Sequence, residues 1–247
     1  MITLYDITSK LDPQAWSPNT WKTRLLLNYK GVPYSTQWVS YPDIEPRMKA
    51  LGAAPTGTKA DGRPAYTLPV IADDARDPGV IADSANIADY LEQSFPTPSV
   101  FPPGTRALQA AFIHLLATTL QPALRPLLVP AVVHILDERG QEYFRRTREL
   151  QFGVPLEDVM PAGSEKRERQ WAEVARVLDR IAAWLDDAES DGPWLGGRKP
   201  VYADFVLAIY FIWLIKTDVP DGWSQVQHWN DGRWRKLIEN CAPYMKE

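Results

Sequence analysis

The chain has 247 residues, 45% of them hydrophobic and 23% charged, with a net charge of −4 and a single cysteine. That is ample material for one large globular domain or two smaller ones. The acidic balance argues against a nucleic-acid-binding surface, and one cysteine excludes an intramolecular disulfide framework and any Cys-x-x-Cys redox or zinc motif.

In chain order, Ile2 to Asp6 reads as a buried strand, followed by a polar loop over 7–16. Ser17-Pro18 reads as a helix start, with serine as N-cap and proline at the first helical position. Trp21, Leu25, Leu26 and Tyr29 make its apolar stripe, and Lys22, Arg24 and Lys30 are expected to point outward. Gly31 ends this helix and Pro33 prevents its return. Tyr34 to Ser40 alternates as a second strand, Glu45 to Leu51 is a weak helical patch, and Gly52 to Pro64 reads as a surface loop.

The stretch from Tyr66 to Glu92 carries the most functional content. Its apolar runs, Leu68-Val70-Ile71 and Val80-Ile81-Ala82, flank a turn-rich segment and predict a hairpin. A helix follows, with Ser84 as its expected N-cap and Ile87, Tyr90 and Leu91 on its buried face. Pro69 cannot donate to a ladder, which leaves the backbone of Leu68 able to pair with an extended peptide; a cis bond is affordable there. Asp83-Ser84 sets a hydroxyl and unpaired N–H groups at a helix N-terminus, a site for a carboxylate. Together these suit a small peptide with a free α-carboxyl group. An edge-strand proline beside a routine capped helix is the other reading of the same residues.

Phe95 to Thr105 holds four prolines and a glycine in 11 residues and reads as a linker. The order strand, helix, strand, helix, strand, strand, helix before it matches a thioredoxin-like α/β unit, and only helical patterns follow it. Arg106 to Leu120 is apolar. Leu120 to Asp137 carries Pro122, Pro126 and Pro130, so a kinked or broken segment is expected. Gln151 to Ser164 reads as a loop, Glu165 to Glu189 as an amphipathic helix, and Asp191 to Pro200 as a connector. Val201 to Ile215 should be a central helix and Trp229 to Cys241 a last one. The run from Phe205 to Ile215 has 11 apolar residues, where a bilayer span needs ~20. No membrane association and a cytoplasmic location are expected.

The ordered combination of Ser17-Pro18 after the first strand, Leu68-Pro69 before a hairpin, Asp83-Ser84 opening a helix, a proline-rich linker, and Trp194-Leu195-Gly196-Gly197 followed by Tyr202-Ala203-Asp204 resembles the cytosolic glutathione transferases over nearly the whole chain. Ser17-Pro18-Asn19-Thr20-Trp21-Lys22, with Asn28-Tyr29-Lys30-Gly31-Val32-Pro33-Tyr34, is similar to the fungal etherase-related class called FuA, which is akin to bacterial β-etherases. The resemblance implies a thioredoxin-like glutathione-binding domain over 1–95, a linker over 96–105, and an all-helical domain over 106–247 that lines a hydrophobic second pocket. It also implies a homodimer, and an association with wood-derived aromatic compounds and polyphenols.

Carried over by position, Ser17 is the catalytic residue, Leu68 before a cis-Pro69 pairs with the cysteinyl part of glutathione, and Asp83 and Ser84 hold the γ-glutamyl end. Asn19 and Thr20 share the role of Ser17, and Tyr66, Lys59 or Arg63 reaches the glycyl carboxylate. Asp83 departs from the family's more usual glutamate, and Val201 stands where a capping Ser or Thr is usual, at a cost of ~1 kcal/mol.

A thiol with a pKa near ~8.5 is mostly protonated at neutral pH. A hydroxyl donating to sulfur beside a helix N-terminus favours the anion, so Ser17 is assigned thiolate stabilisation rather than nucleophilic attack. Serine in place of cysteine removes mixed-disulfide exchange. No Gly-x-Ser-x-Gly elbow supports a serine hydrolase, and His114, His134 and His228 show no metal-ligand spacing. Phe112, Leu116, Leu120, Pro122 and Leu124 are candidates for the second pocket, though helical spacing suits a core equally. The readings carried forward are a glutathione transferase acting on hydrophobic aromatics, a ligandin-type protein that sequesters them, and a ligand-free interaction module.

Overall fold

The computed structural model describes residues 1–76, 79–187 and 192–247. Part of the expected hairpin turn (Asp77, Pro78), the last residues of the Glu165–Glu189 helix, and Asp191 of the connector lie outside them. The chain divides into two compact units. The first takes in Met1–Ser99, Leu136–Tyr143 and Pro243–Glu247; the second takes in Val100–Ile135 and Phe144–Ala242.

The first unit runs β1 (Ile2–Ile7), α1 (Pro18–Lys30), β2 (Tyr34–Val39), a 3-10 turn (Tyr41–Asp43), α2 (Ile44–Leu51), β3 (Gly57–Thr58), β4 (Pro64–Ala65), β5 (Val70–Asp73), β6 (Val80–Ala82) and α3 (Ser84–Ser94). Strand order in the main sheet is β2-β1-β5-β6, parallel between β1 and β2 and antiparallel across the other pairs. This is the thioredoxin-like arrangement. Leu4, Ile71, Leu25, Leu26, Ile87 and Leu91 are completely buried where α1 and α3 pack on each other and on the strands.

Gly31 closes α1 in the left-handed conformation, φ 65°, which needs no Cβ. The β3–β4 ladder begins inside the expected surface loop and ends one residue beyond it, at Ala65. Its two-residue strands are too short to show an alternation.

The three cations of α1 do not all point outward. Arg24 is 0% exposed and Lys30 only 8%. Arg24 donates to the Asp6 carboxylate at 2.7 Å, and its guanidinium lies over the rings of Trp21, Tyr34 and Trp38. Lys30 donates to Glu92 at 2.7 Å and to the carbonyls of Phe95 and Pro98 at 2.8 Å. With both faces of α1 covered, an inward cation survives because it is paired.

The second unit is helical: α4 (Arg106–Thr118), α5 (Leu120–Ile135), α6 (Glu138–Phe152, whose first turns belong to the first unit), α7 (Leu156–Val159), α8 (Glu165–Asp187), α9 (Tyr202–Thr217), α10 (Trp223–Val226) and α11 (Trp229–Cys241). The expected break in the proline-rich segment does not occur. α5 is one helix with Pro126 and Pro130 inside it, and the bend falls before it, 46° between α4 and α5. Prolines four apart place their missing N–H groups on one face, while Leu124, Leu127, Leu128 and Val132 bury the other against α8 and α9.

α9 is buried almost all round, from Tyr202 to Leu214, as a uniformly apolar central helix must be. Val201 provides no side-chain cap. Asp204 reaches back instead and accepts from the amides of Val201 and Leu195, each at 2.8 Å. Among the described residues, no single helix is long and apolar enough to cross a membrane, although the bent α4–α5 pair meets that test by length and composition.

Candidate functional site

Strand register brings the N-terminal candidates to one end of the sheet. Tyr5 of β1 faces Val70 of β5, and Val70 in turn faces Ala82 of β6. The loop after β1 that ends at Ser17, the Leu68–Pro69 step before β5, and the Asp83–Ser84 step after β6 all leave the sheet at that end. β2 finishes there too, at Val39. Its continuation sets the ring of Tyr41 6.4 Å from Trp16, with Tyr143 stacked on Tyr41 at 6.2 Å.

Ser17 sits at the N-cap of α1 with extended backbone, φ −65° and ψ 125°, and its side chain makes no capping bond. The first turn is closed differently, by the hydroxyl of Thr20 and the amide of Trp21 donating to the Ser17 carbonyl at 3.1 and 3.0 Å. The residue is 2% exposed. A serine hydroxyl at a helix N-terminus that its own helix does not use is available to donate to an anion.

Leu68 is buried and joined to Pro69 by a cis peptide. The β5 ladder begins only at Val70, so the backbone N–H and C=O of Leu68 take no part in it. The proline was expected to start the strand in this way.

At α3 the sequence expectation needs correction. The N-cap is Asp83, and Ser84 is the first helical residue. Asp83 Oδ1 accepts from the amides of Ala85 and Asn86 at 2.8 and 3.4 Å, a cap that aspartate makes as well as serine. Asp83 holds φ 77°, a conformation that costs a non-glycine residue about 1–3 kcal/mol.

The remaining candidates are engaged within the protein. Asn19 accepts from the Lys22 ammonium at 3.1 Å. Lys49 lies 5.3 Å from the ring centroid of Tyr66. Lys59 and Lys49 both bind Glu45, and the hydrogen bonds from Lys49 and Lys59 hold its carboxyl down at about 2. Arg63 pairs with Asp61 at 2.7 Å. Among the described residues, no cluster of three His, Cys, Asp or Glu side chains has a metal-binding arrangement.

Of the five second-pocket candidates, Leu116, Leu120 and Leu124 are at most 1% exposed and pack the interior of the helical unit. Phe112 is half-buried and Pro122 exposed. Pro122 borders a cavity of 410 Å³ together with Leu115, Gln170 and Val177.

Two residues near the site were missed. Burial lowers the pKa of Lys22, and the charge of Asp83 acts in the opposite direction. Its three-residue spacing from Asn19 was the available signal. Glu247 accepts from the amides of Gln14 and Ala15, and nothing local to it in sequence announces that contact.

A thioredoxin-like unit with a serine at the start of its first helix and a cis-proline before its hairpin, followed by an all-helical unit, defines the glutathione-transferase fold class. Residues 16–94 match the family model for the glutathione S-transferase N-terminal domain, and residues 107–244 match that for the C-terminal domain. The chain belongs to the glutathione S-transferase family.

It is 34% identical to the glutathione S-transferase-like protein ustS of Aspergillus flavus, over 98% of this chain and 90% of that one. Among solved structures it is similar to the glutathione S-transferase CsGST63524 of Ceriporiopsis subvermispora, crystallised with glutathione. That match has 43% identity, 100% and 98% coverage and a TM-score of 0.94. Glutathione transferase GSTFuA3 of Phanerochaete chrysosporium matches at 40% identity, with 100% and 98% coverage and a TM-score of 0.91. These relatives support the FuA-like class.

Proposed function

We propose that this protein binds glutathione along the exit end of its N-terminal sheet and transfers it to hydrophobic aromatic electrophiles, including phenolic compounds of the kind released from wood. Ser17 stabilises the thiolate. The observation that carries this reading is the uncommitted hydroxyl of Ser17 at the N-cap of α1, on the same side of the sheet as the unladdered backbone of Leu68. A serine used only as a cap would spend that hydroxyl on its own helix.

In this reading Leu68 pairs with the cysteinyl backbone, and Ser84, at the positive end of α3, receives the γ-glutamyl carboxylate. Asp83 faces the γ-glutamyl ammonium, and Asn19, which binds the Lys22 ammonium, shares the thiolate end with Ser17. Tyr66 is left the glycyl end, because Lys59 and Arg63 already serve Glu45 and Asp61. Phe112 and Pro122 are the candidates left for the second pocket. Homodimer formation is part of the proposal. It is supported by α4, where Ala107, Leu108, Ala110 and Ala111 are exposed on an apolar helix.

Thermal melts with and without glutathione, combined with turnover of an activated aryl halide, test the reading. At ten times Kd the ligand should stabilise by ~1.4 kcal/mol. Ser17→Ala should fold normally and lose about 10²–10³ in kcat, the usual effect of removing one oriented donor. Binding without turnover in the wild type would replace transfer with sequestration, and equal rates in wild type and variant would remove Ser17 from the chemistry.

A further inference from the structure

The loop between β1 and α1 has two regions. Asp12 and Pro13 are exposed, whereas Ala15, Trp16 and Ser17 are buried. At the point where the chain turns inward, the carboxylate of Glu247 accepts from two consecutive amides. Oε2 takes the Gln14 N–H at 3.1 Å and Oε1 the Ala15 N–H at 2.7 Å. The last of these amides is two residues before Ser17.

The segment bearing Glu247 is itself fixed to the first unit. The side-chain amide of Asn28, on α1, donates to the carbonyls of Tyr244 and Lys246 at 2.7 and 2.8 Å. The ring of Tyr244 meets Tyr29 edge-on at 5.2 Å. A third contact runs from the Tyr34 hydroxyl to the Lys246 carbonyl at 3.5 Å, and Tyr34 in turn receives a hydrogen bond from the buried Arg24.

On the far side of the loop, the Ser9 hydroxyl donates to the Gln14 carbonyl at 2.7 Å and accepts from the Leu11 amide at 3.1 Å. Gln14 is thus held by its N–H from one side and its C=O from the other.

We infer that Glu247 is a positioning residue for the Ser17 site: a C-terminal strap anchored on α1 clamps the 14–15 backbone and thereby sets where the Ser17 hydroxyl stands. The inference rests on the reading of Ser17 as the thiolate-stabilising group. The two carboxylate oxygens of Glu247 take one adjacent amide each, and charge strengthens both bonds. A glutamine in its place turns an NH2 toward one of those N–H donors. Misplacing a reacting group by about an ångström costs up to ~10²-fold in rate, so a loosened clamp acts on chemistry before it acts on the fold.

The experiment compares wild type, Glu247→Gln, Glu247→Asp, Asn28→Ala and Ser17→Ala. It measures the pH profile of kcat/KM for glutathione with an activated aryl halide, and amide hydrogen exchange across residues 9–17. Glu247→Gln is expected to fold with an unshifted main melting transition, to exchange faster over 13–17, and to lose roughly tenfold in kcat/KM. Its alkaline-rising limb should move to higher pH as the thiolate is held less well. Glu247→Asp keeps both acceptors and should fall between. Asn28→Ala removes two of the strap's anchoring bonds without touching the loop and should shift the profile the same way, by less.

A folded Glu247→Gln protein with wild-type loop exchange and a wild-type pH profile would overturn the clamp. Faster loop exchange in Glu247→Gln alongside a Ser17→Ala enzyme that works normally would instead overturn the Ser17 reading and leave the tether standing.

Discussion

Asp6 and Arg24 are both 0% exposed and bonded at 2.7 Å. Neither would be tolerated alone. Burial pushes the Asp6 carboxyl above its ordinary pKa while Arg24 pulls it down. Asp6 also accepts from the Ile7 amide at 2.7 Å, and Arg24 donates to Tyr34 and Thr36. Removing one partner of such a pair strands the other in the interior, which typically costs about 3–5 kcal/mol. Asp6→Ala is expected to destabilise by that amount in urea melts, whereas Lys49→Ala, which breaks an exposed, solvent-screened pair with Glu45, should leave the melt almost unchanged. The same contrast explains the misjudged cations of α1. A charge in a helical pattern reads as solvent-facing until a counter-charge 18 residues away is known to meet it.

Among the elements, α9 depends on Asp204. Its carboxylate receives the Val201 and Leu195 amides, yet burial outweighs those donors and pushes its pKa up to about 7. A carboxyl whose folded pKa is raised contributes stability that is complete below the usual carboxylate range and is lost as pH rises through the folded value. Wild-type stability minus that of Asp204→Asn should therefore fall between pH 5 and pH 8. Paired chemical denaturation at the two pH values checks this, and a gap that widened with pH would refute it. α5 is the other instructive element. Its prolines argue for a break on local grounds, but each lost hydrogen bond is a local cost, while burial of Leu127, Leu128 and Val132 is collected along the whole helix.

At the scale of the molecule, the two-unit architecture was legible from the alternation of strand and helix patterns up to Phe95 and helical patterns alone after it. A homodimer was expected from the resemblance alone. Leu108 is 72% exposed on α4, beside the exposed Ala107, Ala110 and Ala111, a patch that the proposed second copy would cover. Leu108→Glu should convert a dimer to monomer in light scattering, with the circular dichroism spectrum unchanged. An unaltered mass would move the interface elsewhere.

The site divides in the same way. The helix start at Ser17-Pro18, the cis step at Leu68-Pro69 and the opening of α3 at Asp83-Ser84 were readable because such features are written in consecutive residues. Whether Ser84 or Asp83 caps α3 was not readable, since both are good acceptors and only the backbone turn at Asp83 decides between them.

What the sequence by itself determined is the set of local punctuation marks and the order of elements, because these follow from propensity and spacing within a few residues. Only the tertiary structure decided which buried charges are paired, which candidate leucines pack the core, and that Glu247 returns to hold the loop before Ser17. Those outcomes depend on contacts between residues far apart in the chain, which no window of sequence contains.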